Sequence, residues 1–87
     1  MNEETLLDFI KNGESETVEF KSALDQAAIE TLAAFAKTKG GYVFVGVADS
    51  GKIVGVKLGN ETIPQWLNQI KANTFPTLIP DVATAAI

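Results

Sequence analysis

The sequence predicts a small α+β domain, a short sheet containing a β-hairpin over residues 42–58 with three helices packed on it. Three observations carry that expectation. "Thr17-Val18-Glu19-Phe20-Lys21" alternates apolar and polar residues, the period of a strand with one wetted face. "Tyr42-Val43-Phe44-Val45-Gly46-Val47-Ala48" is apolar at both parities, as in a strand covered on both faces and central in its sheet. Between and around them, apolar residues recur at helical spacing behind residues suited to capping.

In chain order, Asn2 can cap a first helix with an apolar stripe of Leu6, Leu7, Phe9 and Ile10, and Gly13 stands where a left-handed residue ends it. In the strand that follows, Val18 and Phe20 face the core while Thr17, Glu19 and Lys21 share the other face. Asp25 can cap a second helix to about Thr38, with Ile29, Leu32, Ala33 and Ala36 on its buried side, Ala28 and Phe35 widening it, and Gly40-Gly41 stopping it. Helices one and two are expected to pack so as to bury Leu6, Phe9, Ile29 and Leu32. After the apolar strand, "Asp49-Ser50-Gly51-Lys52" reads as a hairpin turn, Asp bonding its own backbone and Gly supplying positive φ. "Ile53-Val54-Gly55-Val56" is β-branched and reads as the returning strand. A third helix starts near Thr62 or Ile63, Pro64 being tolerated in its first turn, with Ile63, Trp66, Leu67 and Ile70 buried. Pro76 and Pro80 force the next stretch to be extended. The chain ends on apolar residues with no closing turn, which reads as a single domain over residues 1–87 cut inside its C-terminal part.

Gly46, then four residues, then Gly51-Lys52 matches part of the nucleotide-binding P-loop. Ile53 replaces the hydroxyl residue that holds magnesium, and a strand follows where a helix N-terminus should present its amides. A P-loop ATPase is therefore not expected. With no Cys there is no disulfide or thiol chemistry, and with no His the commonest general base and zinc ligand are missing. Any metal site would be built from oxygen ligands and would take magnesium, calcium or manganese. The net charge is −4, with seven Lys and no Arg, which counts against bulk-charge nucleic-acid binding and against bidentate base readout in the major groove. An acidic N-terminus and the lack of a long apolar run point to a cytoplasmic protein without a membrane span. Asn60-Glu61-Thr62 fits a glycosylation sequon but reads as a helix start.

Three ordered blocks carry a resemblance: "Glu14-Ser15-Glu16-Thr17-Val18-Glu19-Phe20-Lys21-Ser22", "Ala34-Phe35-Ala36-Lys37-Thr38-Lys39-Gly40-Gly41" and "Gly46-Val47-Ala48-Asp49-Ser50-Gly51-Lys52-Ile53-Val54-Gly55-Val56". In that order they resemble the Schlafen AlbA-type domain, described as the DNA-binding domain of predicted transcriptional regulators and formerly filed as a divergent AAA family. Lys37 stands where the family usually has Asn, adding positive charge beside Lys39. The family domain also tends to continue through further strands. The resemblance implies a DNA-binding module, with Lys37, Lys39 and Lys52 as the phosphate contacts and no cofactor. It also implies an alternative: Schlafen nucleases carry an acidic site resembling Glu-x4-Glu-x-Lys with a later Asp. The matching positions are Glu14, Glu19, Lys21 and Asp49, where Glu14, Glu19 and Asp49 would hold magnesium or manganese to cleave RNA.

Each of these residues has a plainer reading. Glu14 suits a solvated loop, Glu19 and Lys21 an exposed ion pair, Asp49 a turn and the lysines a solvated rim. Trp66 reads as core. A protein–protein assembly module fits the acidic charge, and edge pairing of an incomplete sheet makes a homodimer an expectation.

Overall fold

The structure, a computed structural model, describes residues 1–86; Ile87, the last residue of the apolar terminal stretch, lies outside them. It has three helices and a two-stranded sheet, the α+β class expected.

Helix α1 spans Glu3–Asn12. The Asn2 side chain accepts the Thr5 N–H at 2.8 Å, and Gly13 at φ 84° closes the last turn. Glu3 and Glu4 in its first turn and Lys11 in its last match the helix dipole. Ile10 is buried and Leu6 and Phe9 half-buried, whereas Leu7 falls outside the stripe and is exposed, a correction to the expected face.

Strands β1 (Val18–Lys21) and β2 (Tyr42–Val45) run parallel, Val18 opposite Tyr42 and Lys21 opposite Val45. Parallel neighbours need a crossover, and helix α2 (Gln26–Ala36) supplies it, its first turn capped by Asp25 accepting the Ala28 N–H at 2.8 Å. The chain leaves α2 through Gly40 at φ 82° and enters β2 at Gly41. A Cβ at Gly41 would stand 2.6 Å from the Thr17 carbonyl oxygen and 2.8 Å from the Phe35 ring, so only glycine lets β2 approach β1 here. The Tyr42 N–H then donates to that same Thr17 oxygen at 2.8 Å.

Ile10, Val18, Phe20 and Val47 form the core, with Leu6, Phe9 and Phe44 packed against it. The Phe44 ring lies 5.7 Å from Phe9 and 6.2 Å from Phe20, in tilted pairs that favour aromatic edges against faces. Helix α1 thus packs on the sheet and α2 packs on β2, rather than the two helices on each other. Ile29 is fully buried, but Leu32 is only half-buried and Ala36 exposed.

Two expectations for residues 42–58 are corrected. The strand ends at Val45 and has a neighbour on one side only, so it is not central. Apolar residues at both parities report that both faces are covered and say nothing about the edges. The hairpin is reduced to one antiparallel bridge, Val47 to Ile53, around a turn in which Gly51 donates to Ala48 O and Ala48 to Lys52 O. Gly46 at φ 96° turns its carbonyl to accept from both Val54 and Gly55, and Gly55 is itself at φ 74°. Two left-handed glycines end the ladder, leaving Val54, Val56 and Leu58 exposed.

Helix α3 spans Thr62–Ala72, with the Thr62 hydroxyl accepting the Gly59 N–H at 2.9 Å. Ile70 is buried, while Ile63, Trp66 and Leu67 are half-buried, so the indole is not enclosed as a core residue would be. Residues 75–80 carry no regular structure. Among the described residues no helix is long and apolar enough to cross a membrane.

Candidate functional site

The site candidates gather at β1 and the loop before it. Thr17 and Lys21 offer their carbonyls to β2, so the odd positions of β1 face its partner strand and the even positions turn outward. On that outer side Val18 is bridged by Ser15 of its own chain, and the Phe20 N–H, on a residue 1% exposed, donates to Glu14 Oε2 at 3.0 Å. Glu14 is therefore neither a free loop residue nor a lone metal ligand. It closes the edge of β1, and the tight turn through Ser15 and Thr17 brings its carboxylate back to the strand.

That return places Glu14 within hydrogen-bonding reach of the Glu19 carboxyl. Partial burial, first, and then the Glu14 charge and hydrogen bond hold Glu19 above its ordinary carboxylate range. Lys21, on the same strand face, pulls in the opposite direction, and Asp49 raises Glu19 through charge as the weakest of these influences. The structure thus draws Glu14, Glu19 and Lys21 together, as their strand parity foretold for the last two. Asp49 stays on its turn and does not complete a trio: among the described residues no group of three or more His, Cys, Asp or Glu could hold a metal ion. Magnesium or manganese needs several converging oxygens, and the carboxylates that meet here are those of Glu14 and Glu19.

Lys37, Lys39 and Lys52 are all exposed. Lys37 caps the C-terminus of α2, and Lys39 lines an open cleft of about 320 Å³ with Glu16, Thr17 and Thr38. Lys52 sits apart on the turn that follows Ala48, and Ile53 after it forms a bridge rather than a helix, so the phosphate-cradling geometry of a P-loop is not built. Sequence reasoning missed Thr17 and Thr38 as walls of the Lys39 cleft. Thr17 had a signal, its place on the polar parity of β1, but the pairing that carries it to Thr38 is non-local. Tyr42, 48% exposed at the start of β2, is braced by its ring 4.9 Å from Phe9.

The sequence model of the family described as Schlafen, AlbA_2 matches residues 14–87, more than half of the chain. Comparison with curated proteins and with solved structures gave no match in either case.

Proposed function

The chain belongs to the Schlafen, AlbA_2 family, and on that premise we propose that it is the nucleic-acid-binding module of a transcriptional regulator, with DNA as its ligand. Membership supports a nucleic-acid-related role, and the observation that carries the finer reading is the exposure of Lys37, Lys39 and Lys52 on turns free of the core. Exposed ammonium groups on short turns can meet backbone phosphate without rearranging the fold. No Arg is present for bidentate base contacts, so binding rests on phosphate and is weakly sequence-dependent. With three contacts at about −0.9 each, the slope of log affinity against log salt is about −2.7 on duplex DNA, and the Lys37→Ala, Lys39→Ala double variant leaves about −0.9.

Gel-shift titration across a salt series tests this. Unchanged affinity and slope in the double variant would remove the proposed surface. No shift at any salt would instead favour the assembly-module reading, which the net charge of −4 supports. The paired Glu14 and Glu19 with Lys21 beside them support a second reading, a metal-dependent endoribonuclease that would act with magnesium or manganese. RNA cleaved by wild type and spared by a folded Glu19→Gln variant would establish it. The cytoplasm is the compartment that both readings propose.

A further inference from the structure

We infer that Tyr42 and Lys39 together form a subsite for one unpaired nucleotide of a DNA single strand, the base stacked on the Tyr42 ring and the backbone phosphate held by the Lys39 ammonium. The inference rests on the nucleic-acid-binding reading above and names the form of DNA that this surface takes. Among the described residues two aromatic side chains are exposed, Tyr42 and Phe75. Phe75 is 93% exposed in a stretch without regular structure. Tyr42 instead opens β2, and its ring is held from within, 4.9 Å from Phe9 and 6.0 Å from Phe44, to which it lies nearly parallel at 11°. A ring fixed in this way and still 48% exposed offers a π surface with little rotamer freedom left to lose.

The main chain puts a cation beside that ring. Lys39 and Tyr42 are three positions apart, so their α-carbons lie within about 11 Å of each other, about three stacked nucleotide steps of 3.4 Å. Lys39 lines the open cleft with Glu16, Thr17 and Thr38, and Thr17 is the residue whose carbonyl takes the Tyr42 N–H at 2.8 Å. The link between cation and ring is tightly set: Gly40 stands at φ 82°, and at Gly41 there is no room for a Cβ between Thr17 and Phe35.

Charge decides between a single strand and a duplex. Glu16 shares the cleft with Lys39 and the chain carries −4 overall, so the pull of the lysines on phosphate is partly cancelled and falls further with salt. Stacking is insensitive to both. It also accepts every base, in keeping with a chain that has no Arg for base-edge contacts. In a duplex each base face is covered by its neighbours and Tyr42 adds nothing, whereas in a single strand the face is free.

Fluorescence anisotropy with an oligothymidylate and with a blunt duplex of mixed sequence, each across a salt series, tests the subsite. The expected result is tighter binding of the oligothymidylate. Tyr42→Leu keeps apolar packing on Phe9 and Phe44 but removes the ring. It is expected to weaken single-strand binding about 5- to 150-fold, the 1–3 kcal/mol of one stack at about 1.4 kcal/mol per tenfold, with the salt slope and duplex binding unchanged. Tyr42→Phe retains wild-type affinity, and Lys39→Ala flattens the single-strand slope by about 0.7. The chain has one Tyr, so its ring proton resonances report the stack directly and are expected to move upfield as oligothymidylate is added to the wild type. Wild-type affinity of Tyr42→Leu for oligothymidylate, an unmoved Tyr resonance, or tighter binding to the duplex would each overturn the inference. Duplex binding that depends on the lysines but not on Tyr42 would then leave the phosphate-contact reading standing, whereas no binding to either DNA at any salt would remove both.

Discussion

Replacing Glu14 separates two roles of one carboxylate. Its Oε2 atom is the acceptor for the amide of Phe20, a residue 1% exposed, and its charge presses on Glu19. Glu14→Ala leaves that amide without a partner in the protein, and a lost bond to a charged acceptor costs about 1.5–3 kcal/mol. Two effects lower the figure: Glu14 is exposed, so water can reach the vacated site, and its removal relieves repulsion with Glu19. The expected net loss is about 1–2 kcal/mol, which in a domain of this size lowers Tm by about 5–10 °C. Glu14→Gln keeps an oxygen acceptor and drops the charge, so its stability should stay within about 0.5 kcal/mol of wild type. Urea denaturation at pH 7 with a shared m-value measures both variants. The reasoning fails if the Ala variant is as stable as wild type, which would mean that the bond contributes nothing net. It fails equally if the Gln variant loses as much as Ala, since charge rather than acceptor would then hold the edge.

The raised Glu19 carboxyl has a definite sign in pH dependence. Between its ordinary value of 4.5 and its higher folded value the native state holds more proton than the unfolded state, so wild-type stability falls as pH rises through that window and is flat above it. Glu19→Gln has no such step, and denaturation midpoints from pH 4 to 8 should show the variant gaining on wild type as pH rises; a variant that loses ground would mean that Lys21 dominates. Gly41→Ala drives a Cβ against the Thr17 carbonyl and the Phe35 ring, and should cost about 1–3 kcal/mol by the usual penalty for overpacking, measured by thermal unfolding; an unaffected Tm would show that the entry to β2 gives way freely.

What the sequence made legible is what short stretches decide by themselves. Asn2, Gly13 and Asp25 sit at the helix ends they were expected to mark, because capping involves atoms within a few residues, whereas α2 ends at Ala36 and Gly40 follows a further turn. Parity put Glu19 and Lys21 on one strand face, and Lys21 acts on the Glu19 carboxyl. The hairpin was misjudged because β-branched residues at 53–56 carry a strand propensity that Gly46 and Gly55, both left-handed, override. Glu14 offered no periodic signal at all. Its place depends on a turn whose Ser15 and Thr17 hydroxyls bond locally, and on a strand edge that exists only once β1 has chosen β2 over any other neighbour.

The parallel pairing of β1 with β2 sets the tempo at which the domain can form. Every partner is 24 positions away (42 − 18 for the first pair), and the turn between Val47 and Ile53 closes with one antiparallel bridge rather than a ladder. Closing so long a segment costs entropy before any ladder bond repays it, so the strands cannot zip until α2 has formed and docked between them. Asp25 and the glycines at 40 and 41 thereby act on the rate of folding, by shaping the crossover that must exist first. Until that step, the apolar run at 42–48 is bare on both edges and both faces, and a crowded population of unfinished chains would find one another there before each finds its own β1.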